Sequence, residues 1–418
     1  MRAGRLRSLV TLGPGEVAPV AWGAASFFAI LGGYFLLRPV RDALVLDGDP
    51  AFIKWLFTAT FIAMTAVAAP WGALVARRPR GQLAPIVFRA CAVQLLGFAA
   101  LIHAEVAPLV VAKVFYVWLS VMNLFVVSVF WSVCADLADP ATGRRWFGAI
   151  AAGGTAGALV GPLVTRSLAH ELAPAGLLLI AAATLEIAVW TTGRLIAATP
   201  NARATSPRGL GGHALAGLAA VARSRHLAGI AGYALIAATL ATFVYLRQAE
   251  LAKAALPDRA TRTAFFADVE LATGLATLAI QLFATSRLMR WLGVGVVLAL
   301  LPAVQGAAML GLTLAPSLAM AVAASASGRA ATHALARPAR ELLFTAVARE
   351  DKYKAKNVID TLIYRFGDFG SAWLHAGLLA LGVAVVGAAL PLAGAAVALA
   401  IVLGRQHRAR VAAAPPEP

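Results

Sequence analysis

Long apolar stretches recur from one end of the chain to the other, separated by short polar segments rich in arginine. Twelve of them reach or exceed the ~20 residues that a helix needs to cross the hydrocarbon core of a bilayer. They run over 18–46, 55–76, 84–103, 108–137, 146–169, 174–197, 227–250, 265–286, 293–314, 317–346, 358–381 and 383–403. The ~10-residue alternation of a barrel strand is absent from the pattern. It predicts an all-α polytopic membrane protein of about twelve transmembrane helices. The first, fourth and tenth stretches are overlong, so tilt or protrusion is expected there.

The charges between the stretches set an orientation. One side receives Arg2, Arg5 and Arg7, then Arg77, Arg78 and Arg80, then Arg144 and Arg145. It also receives Arg203, Arg208, Arg223 and Arg225, then Arg287 and Arg290, then Arg349, Lys352, Lys354 and Lys356, and finally Arg405, Arg408 and Arg410. The other side holds Lys54, Lys253, Arg259 and Arg262 and little else. Basic loops stay on the cytoplasmic side, so both termini are expected there. The longest polar connection, with Pro200, Pro207, Gly209, Gly211 and Gly212, divides six stretches from six. This predicts an N-terminal half 1–198, a cytoplasmic linker 199–225, a C-terminal half 226–404 and a cytoplasmic tail 405–418. Two six-helix halves around a midplane site are the layout of the major facilitator architecture.

Composition agrees with this reading. The chain has 418 residues, 61% hydrophobic and 13% charged, about half the charge fraction of a soluble domain. Its mean hydropathy is +0.80. The net charge of +17 raises the question of nucleic acid, but the excess lies in the short loops where topology places it, so no nucleic-acid partner is expected. Cys91 and Cys134 fall inside apolar stretches and form no disulfide or metal pattern. The first stretch is too long for the core of a cleavable signal peptide and is expected to remain as an anchor.

The tenth stretch carries the most telling chemistry. Arg329, His333, Arg337 and Arg340 lie at i, i+4, i+8 and i+11, which on a straight helix shares a face roughly 80° wide. Charge at membrane depth is expensive and faces an aqueous cavity or a partner, so four such groups in register predict a wet path for an anion. The same stretch reads Arg337-Pro338-Ala339-Arg340-Glu341, and the first reads Arg38-Pro39-Val40-Arg41-Asp42. Both spell Arg-Pro-x-Arg-acid. Each proline permits a kink, and the two motifs are expected to act as paired gates whose acids, Asp42 and Glu341, hold or release the arginines. The plainer role for these arginines is snorkelling from helix ends.

Other stretches add polar stripes. Lys113, Tyr116, Ser120 and Asn123 share one face of the fourth, fitting either a cavity wall or interhelical hydrogen bonding. Asn357, Asp360, Tyr364 and Asp368 share one face of the eleventh, with Arg365 in reach of Asp368. These acids balance arginines in an empty site or bind a coupling proton. Glu186, Arg247, Glu250, Asp268 and Glu270 are weaker candidates. Gly153, Gly154, Gly157 and Gly161-Pro162 in the fifth stretch read as a close-packing surface. The chain has no Gly-Lys dipeptide, hence no phosphate-binding loop of the ATPase type, and no zinc-protease motif or nucleophile elbow. A non-enzyme without cofactor or metal is expected.

The run Tyr34-Phe35-Leu36-Leu37-Arg38-Pro39-Val40-Arg41-Asp42 resembles the first-helix signature of the ATP:ADP antiporter family. Arg337-Pro338-Ala339-Arg340-Glu341-Leu342-Leu343-Phe344 resembles that family's strongest motif, which continues through Glu350-Asp351-Lys352-Tyr353-Lys354-Ala355-Lys356-Asn357-Val358-Ile359-Asp360-Thr361 and Tyr364-Arg365-Phe366-Gly367-Asp368. The likeness is greater to the shorter relatives in free-living bacteria. It implies a major facilitator-type fold and strict exchange of nucleotides without hydrolysis, with basic residues on the phosphates. The compact loops depart from the nucleotide exchangers, so the resemblance speaks for an anionic solute more than for ATP itself.

Residues and resemblance together predict a monomeric, inner-membrane secondary transporter that works by alternating access. Arg38, Arg41, Lys113, Asn123, Arg329, His333, Arg337 and Arg340 are expected to take the anion, and Asp42, Glu341, Asp360, Arg365 and Asp368 to pair charges when it is absent. Guanidinium suits a phosphorylated or carboxylated solute because it binds bidentately. Two alternatives stay open: a proton-coupled facilitator titrating Asp360 or His333, and a membrane sensor or scaffold that moves nothing.

Overall fold

The computed structural model describes residues 12–13, 15–77, 80–199, 214–347, 355–356 and 358–413, and among these there is no strand. The helices are α1 (Val17–Val45), α2 (Ile53–Arg77), α3 (Arg80–His103), α4 (Pro108–Leu137), α5 (Pro140–Leu168) and α6 (Pro174–Ala197). Then follow α7 (Ala214–Arg223), α8 (Arg225–Ala255), α9 (Arg259–Phe283), α10 (Thr285–Leu314), α11 (Leu318–Ala331), α12 (Arg337–Leu343), α13 (Tyr364–Ala380) and α14 (Val385–Ala413). Among the described residues, ten helices are long and apolar enough to cross a membrane. The two remaining stretches are helical but broken by π turns, Thr332–Ala336 between α11 and α12 and Ile359–Ile363 before α13. The chain is a polytopic all-helical membrane protein.

Hydropathy placed the helices and misjudged several starts, because first turns are polar and capped. Asp139 accepts from the Ala141 and Thr142 amides with Pro140 at the first helical position, so α5 begins ahead of 146. Asp258 Oδ2 accepts from the Thr261 amide at 2.8 Å, so α9 begins ahead of 265 and takes in Arg259 and Arg262. α10 also starts early and bends at Gly293, whose φ of 75° lies in the left-handed region that glycine adopts freely. The expected linker 199–225 contains α7, an alanine-rich run of good helix formers. The expected tail is helical as far as Ala413. Pro200, Pro207, Gly209, Gly211 and Gly212 lie outside the described residues, as do Arg2, Arg5, Arg7, Arg78, Arg203, Arg208, Arg349, Glu350, Asp351, Lys352, Tyr353, Lys354 and Asn357.

The chain forms two compact units. One comprises residues 1–48, 62–209 and 257–271; the other comprises 49–61, 210–256 and 272–418. Relative to the halves 1–198 and 226–404, two segments are traded: the first turns of α2 belong to the second unit and those of α9 to the first.

In the first unit α1 packs along α5, α6 and α4, and α3 along α6 and α4. Phe27, Leu37, Phe88, Phe115, Phe130 and Ile150 fill its core. Glycines make the α1–α5 contact possible. A Cβ on Gly153, Gly157 or Gly161 would fall on the carbonyl oxygens of Ala24, Phe28 and Gly32 in α1, so the backbones meet directly, as small-residue seams in membranes allow. Thr165 Oγ1 closes the seam by donating to Leu36 O at 2.7 Å.

In the second unit α10 packs on α14 and α11, and α8 on α13, α14 and α11. The start of α2 joins it through aromatic contacts: Trp55 meets Trp373 with ring centroids 4.7 Å apart, and Trp373 Nε1 donates to Thr58 Oγ1 at 3.0 Å. Its prolines are compensated. Pro302 has no N–H for the carbonyl of Leu298, and that carbonyl accepts from the Tyr233 hydroxyl at 2.8 Å. Pro338 has none for Ala334, whose carbonyl accepts from Thr285 Oγ1 at 2.9 Å. A freed backbone group in a membrane helix needs such a partner.

Candidate functional site

The first unit assembles a cluster around the α1 motif. Arg41 Nε and Nη2 both donate to Asp42 Oδ1, at 2.9 and 2.7 Å. Its Nη1 lies 3.5 Å from Ser120 Oγ on α4, and its guanidinium carbon stands 4.3 Å from the Tyr116 ring centroid, a cation–π distance. Arg41 and Asp42 are each 6% exposed. The polar stripe of α4 therefore meets Arg41 of α1, with Tyr116 and Ser120 as the contact points. Asn123, one turn further, has a buried Oδ1 without a hydrogen-bond partner. Lys113 is partly buried at the N-terminal end of the stripe.

Arg38 is held differently. Its Nη1 lies 3.3 Å from Glu270 Oε2 on α9, with side chains 23% and 5% exposed, and its buried Nε has no hydrogen-bond partner. Glu270 is the residue that sequence reasoning undervalued: it is 232 positions from Arg38, and no local pattern announces such a pair. Its neighbours on α9 are tied to the same unit. Arg259 Nη2 pairs with Asp47 at 2.6 Å. Arg262 pairs with Asp47 and donates to Leu46 O at 3.2 Å. Asp268 pairs with Arg166 of α5. Asp47 went unnoticed in the sequence, although it follows the Arg-Pro-x-Arg-Asp motif and faces the first turn of α9, which carries two arginines.

The second unit holds the other motif in a broken helix. The straight-helix face expected for Arg329, His333, Arg337 and Arg340 is not kept, because the π turn at Thr332–Ala336 sets later residues back by roughly one residue's 100°. Arg340 Nη2 donates to Asp360 Oδ1 at 2.5 Å, and its buried Nε lacks a hydrogen-bond partner. Asp360 belongs to the second π turn. Glu341 pairs with Lys356 at 2.6 Å and not with the arginines of its own motif. Arg365 lies 3.6 Å from Asp368. Tyr364 is within electrostatic reach of Arg337, Arg340, Arg365 and Asp368, which brings the two broken helices into one charged region. Arg337 is exposed and has no ion pair among the described residues. Arg329 is partly buried and His333 exposed.

The charge ledger differs between the clusters. In the first, Arg38 and Arg41 are matched by Glu270 and Asp42. In the second, Arg340 is set against Asp360 and Arg365 against Asp368, while Arg337 has no ion pair among the described residues. Another polar line in the second unit joins Arg247, Glu250 and His375. Arg247 donates to Glu250 at 3.1 Å, and His375 Nε2 lies 3.9 Å from Glu250 Oε1. His375 was not singled out in the sequence. No group of three or more His, Cys, Asp or Glu placed to hold a metal occurs among the described residues.

No family model matches the chain, and no curated protein matches it in sequence. Solved structures do. The nucleoside transporter NupG is 16% identical with a TM-score of 0.63, covering 96% of this chain and 99% of that one. A POT family transporter in complex with 5-aminolevulinic acid is 11% identical with a TM-score of 0.65, covering 92% and 96%. A bacterial homologue of the iron transporter ferroportin, in an inward-facing state, is 13% identical with a TM-score of 0.62, covering 95% and 99%. At these identities the likeness fixes the fold, which is that of major facilitator-type membrane transporters.

Proposed function

We propose that the chain is a secondary transporter that exchanges anionic solutes by alternating access. The observation that carries this reading is Arg337, exposed and without an ion pair among the described residues, beside the paired Arg340 and Arg365 on the two π-interrupted helices of the second unit. Unpaired positive charge at membrane depth is costly, and an anion that neutralises it lets the protein change state. An empty site would hold the protein in place, and that is the physical basis of exchange. Solved structures of the same fold include nucleoside, peptide and iron transporters. Nucleotides are the first solutes to try, because the two Arg-Pro-x-Arg-acid blocks resemble the ATP:ADP antiporter family. The inner-membrane location with cytoplasmic termini belongs to the same proposal and rests on the loop arginines.

The test is counter-exchange in proteoliposomes loaded with unlabelled ADP and offered labelled ATP, without a proton gradient. Uptake confined to loaded vesicles is expected. Equal uptake into empty vesicles would overturn exchange, and no uptake of nucleotides, phosphate or dicarboxylates by inserted protein would overturn the anion reading. The second reading, proton coupling, is favoured by the Arg247–Glu250–His375 line, an ionisable cluster inside membrane helices. Uptake that needs an imposed pH gradient and no internal solute would select it.

A further inference from the structure

Glu270 stands where a solute anion would stand on Arg38. It reaches Arg38 through one guanidinium nitrogen at 3.3 Å, whereas a carboxylate well seated on an arginine takes two parallel hydrogen bonds at about 2.8 Å. Arg38 Nε remains without a hydrogen-bond partner, so one edge of the guanidinium is only half used. Arg41, three residues on, is fully engaged by Asp42, Ser120 and Tyr116. Arg38 is thus the cation of the α1 motif with capacity to change partner.

The position of Glu270 on α9 gives that exchange a consequence. The charged residues of α9 are Arg259, Arg262, Asp268 and Glu270, and from Leu271 to Phe283 the helix carries none. All four pair with residues of the first unit. The part of α9 assigned to that unit stops at Leu271, immediately after the last of them. Glu270 is therefore the innermost of a row of ties that fasten α9 to α1, α5 and the α1–α2 loop.

We propose that Glu270 is an internal competitor of the solute: it occupies Arg38 while the site is empty, and the incoming anion displaces it and loosens α9 from α1. This rests on the anion-exchange reading above and deepens it, because it names the group that holds the unloaded carrier closed. A carboxylate that must be expelled lowers apparent affinity by the fraction of molecules in which Arg38 is free.

The experiment measures binding of labelled ATP and of inorganic phosphate to the full-length protein in nanodiscs, together with hydrogen exchange over 259–271. In Glu270→Gln the anion that binds the wild type should bind about tenfold tighter, the factor expected if Arg38 is free in roughly one molecule in ten. Exchange over 259–271 should be raised without ligand and should no longer respond to it. Glu270→Asp, which keeps the charge, should restore both wild-type values in part, and Arg38→Ala should lose binding. Damage from a merely structural residue weakens binding, so tighter binding separates the two roles. An anion that binds the wild type and Glu270→Gln equally, or more weakly in the variant, overturns the competitor and leaves the transporter reading intact. Absence of anion binding to the wild type overturns both.

Discussion

The two Arg-Pro-x-Arg-acid motifs are the same five-residue idea placed in different surroundings. In α1 the helix runs through its proline without interruption, pressed against α5 along Gly153, Gly157 and Gly161. Its second arginine is buried, bound to the adjacent acid and stacked on Tyr116. In the other copy the turn ahead of the proline is widened to π geometry, the acid turns away to Lys356, and the first arginine is exposed. The difference teaches that the motif does not determine its own role. A neighbouring helix that supplies a ring and a hydroxyl makes it a clasp, and one that supplies a single carboxylate leaves cation to spare.

The largest expected effect breaks the comparison at its centre. Arg41→Ala takes the paired guanidinium away from the buried Asp42 carboxylate and should cost about 3–5 kcal/mol of stability, read as a large fall in thermal midpoint in detergent. Arg337→Ala should leave that midpoint unchanged, since no ion pair is lost. It should lower anion exchange by roughly tenfold to a hundredfold, the weight of a charge-assisted hydrogen bond or two. If Arg41→Ala folds as the wild type and Arg337→Ala does not, clasp and open cation have been assigned the wrong way round.

Much of this architecture was legible in advance. Apolar length placed ten of the twelve stretches on helices long enough to cross a membrane, and the other two on helices interrupted by π turns. The glycine spacing in α5 announced a close helix contact. The register of Arg329, His333, Arg337 and Arg340 was not legible, because it assumed an unbroken helix and nothing local specifies a π turn. Pairings such as Arg38 with Glu270 or Arg262 with Asp47 join residues more than half the chain apart, where only the folded path decides who meets. Glu341 shows the same limit at short range: its motif offers two arginines, and a lysine on the next helix takes it.

A smaller effect sharpens the contrast between the prolines. Thr285→Val removes the hydroxyl that serves Ala334 O, and the loss should be about 1 kcal/mol. Pro338→Ala restores an N–H that can serve the same carbonyl. In the Pro338→Ala background Thr285→Val should therefore cost nearly nothing, a non-additivity that a double-mutant cycle measures directly. Full additivity would mean that the π turn is held by other contacts and that the proline is incidental to it.

The smallest effect concerns how α1 is anchored. Glu16, just before α1, pairs with Arg145 of α5. Hydrogen bonds from Arg145 and from the Gly13 amide lower its carboxyl from 4.5 to about 2. A carboxylate depressed on folding contributes stability that is complete above its ordinary value and is lost as pH falls toward the folded one. The difference in thermal midpoint between wild type and Glu16→Gln should be fullest near pH 7, shrink below pH 4.5 and be nearly gone at about pH 2. Asp139, also lowered by its helix-capping amides, is lost in both proteins over the same range and cancels in the comparison. Exchange at neutral pH should not change, because Glu16 and Arg145 pair with each other and with neither Arg38 nor Glu270. A Glu16→Gln variant that alters exchange while keeping its thermal midpoint would make the α1–α5 anchor itself part of the moving charge.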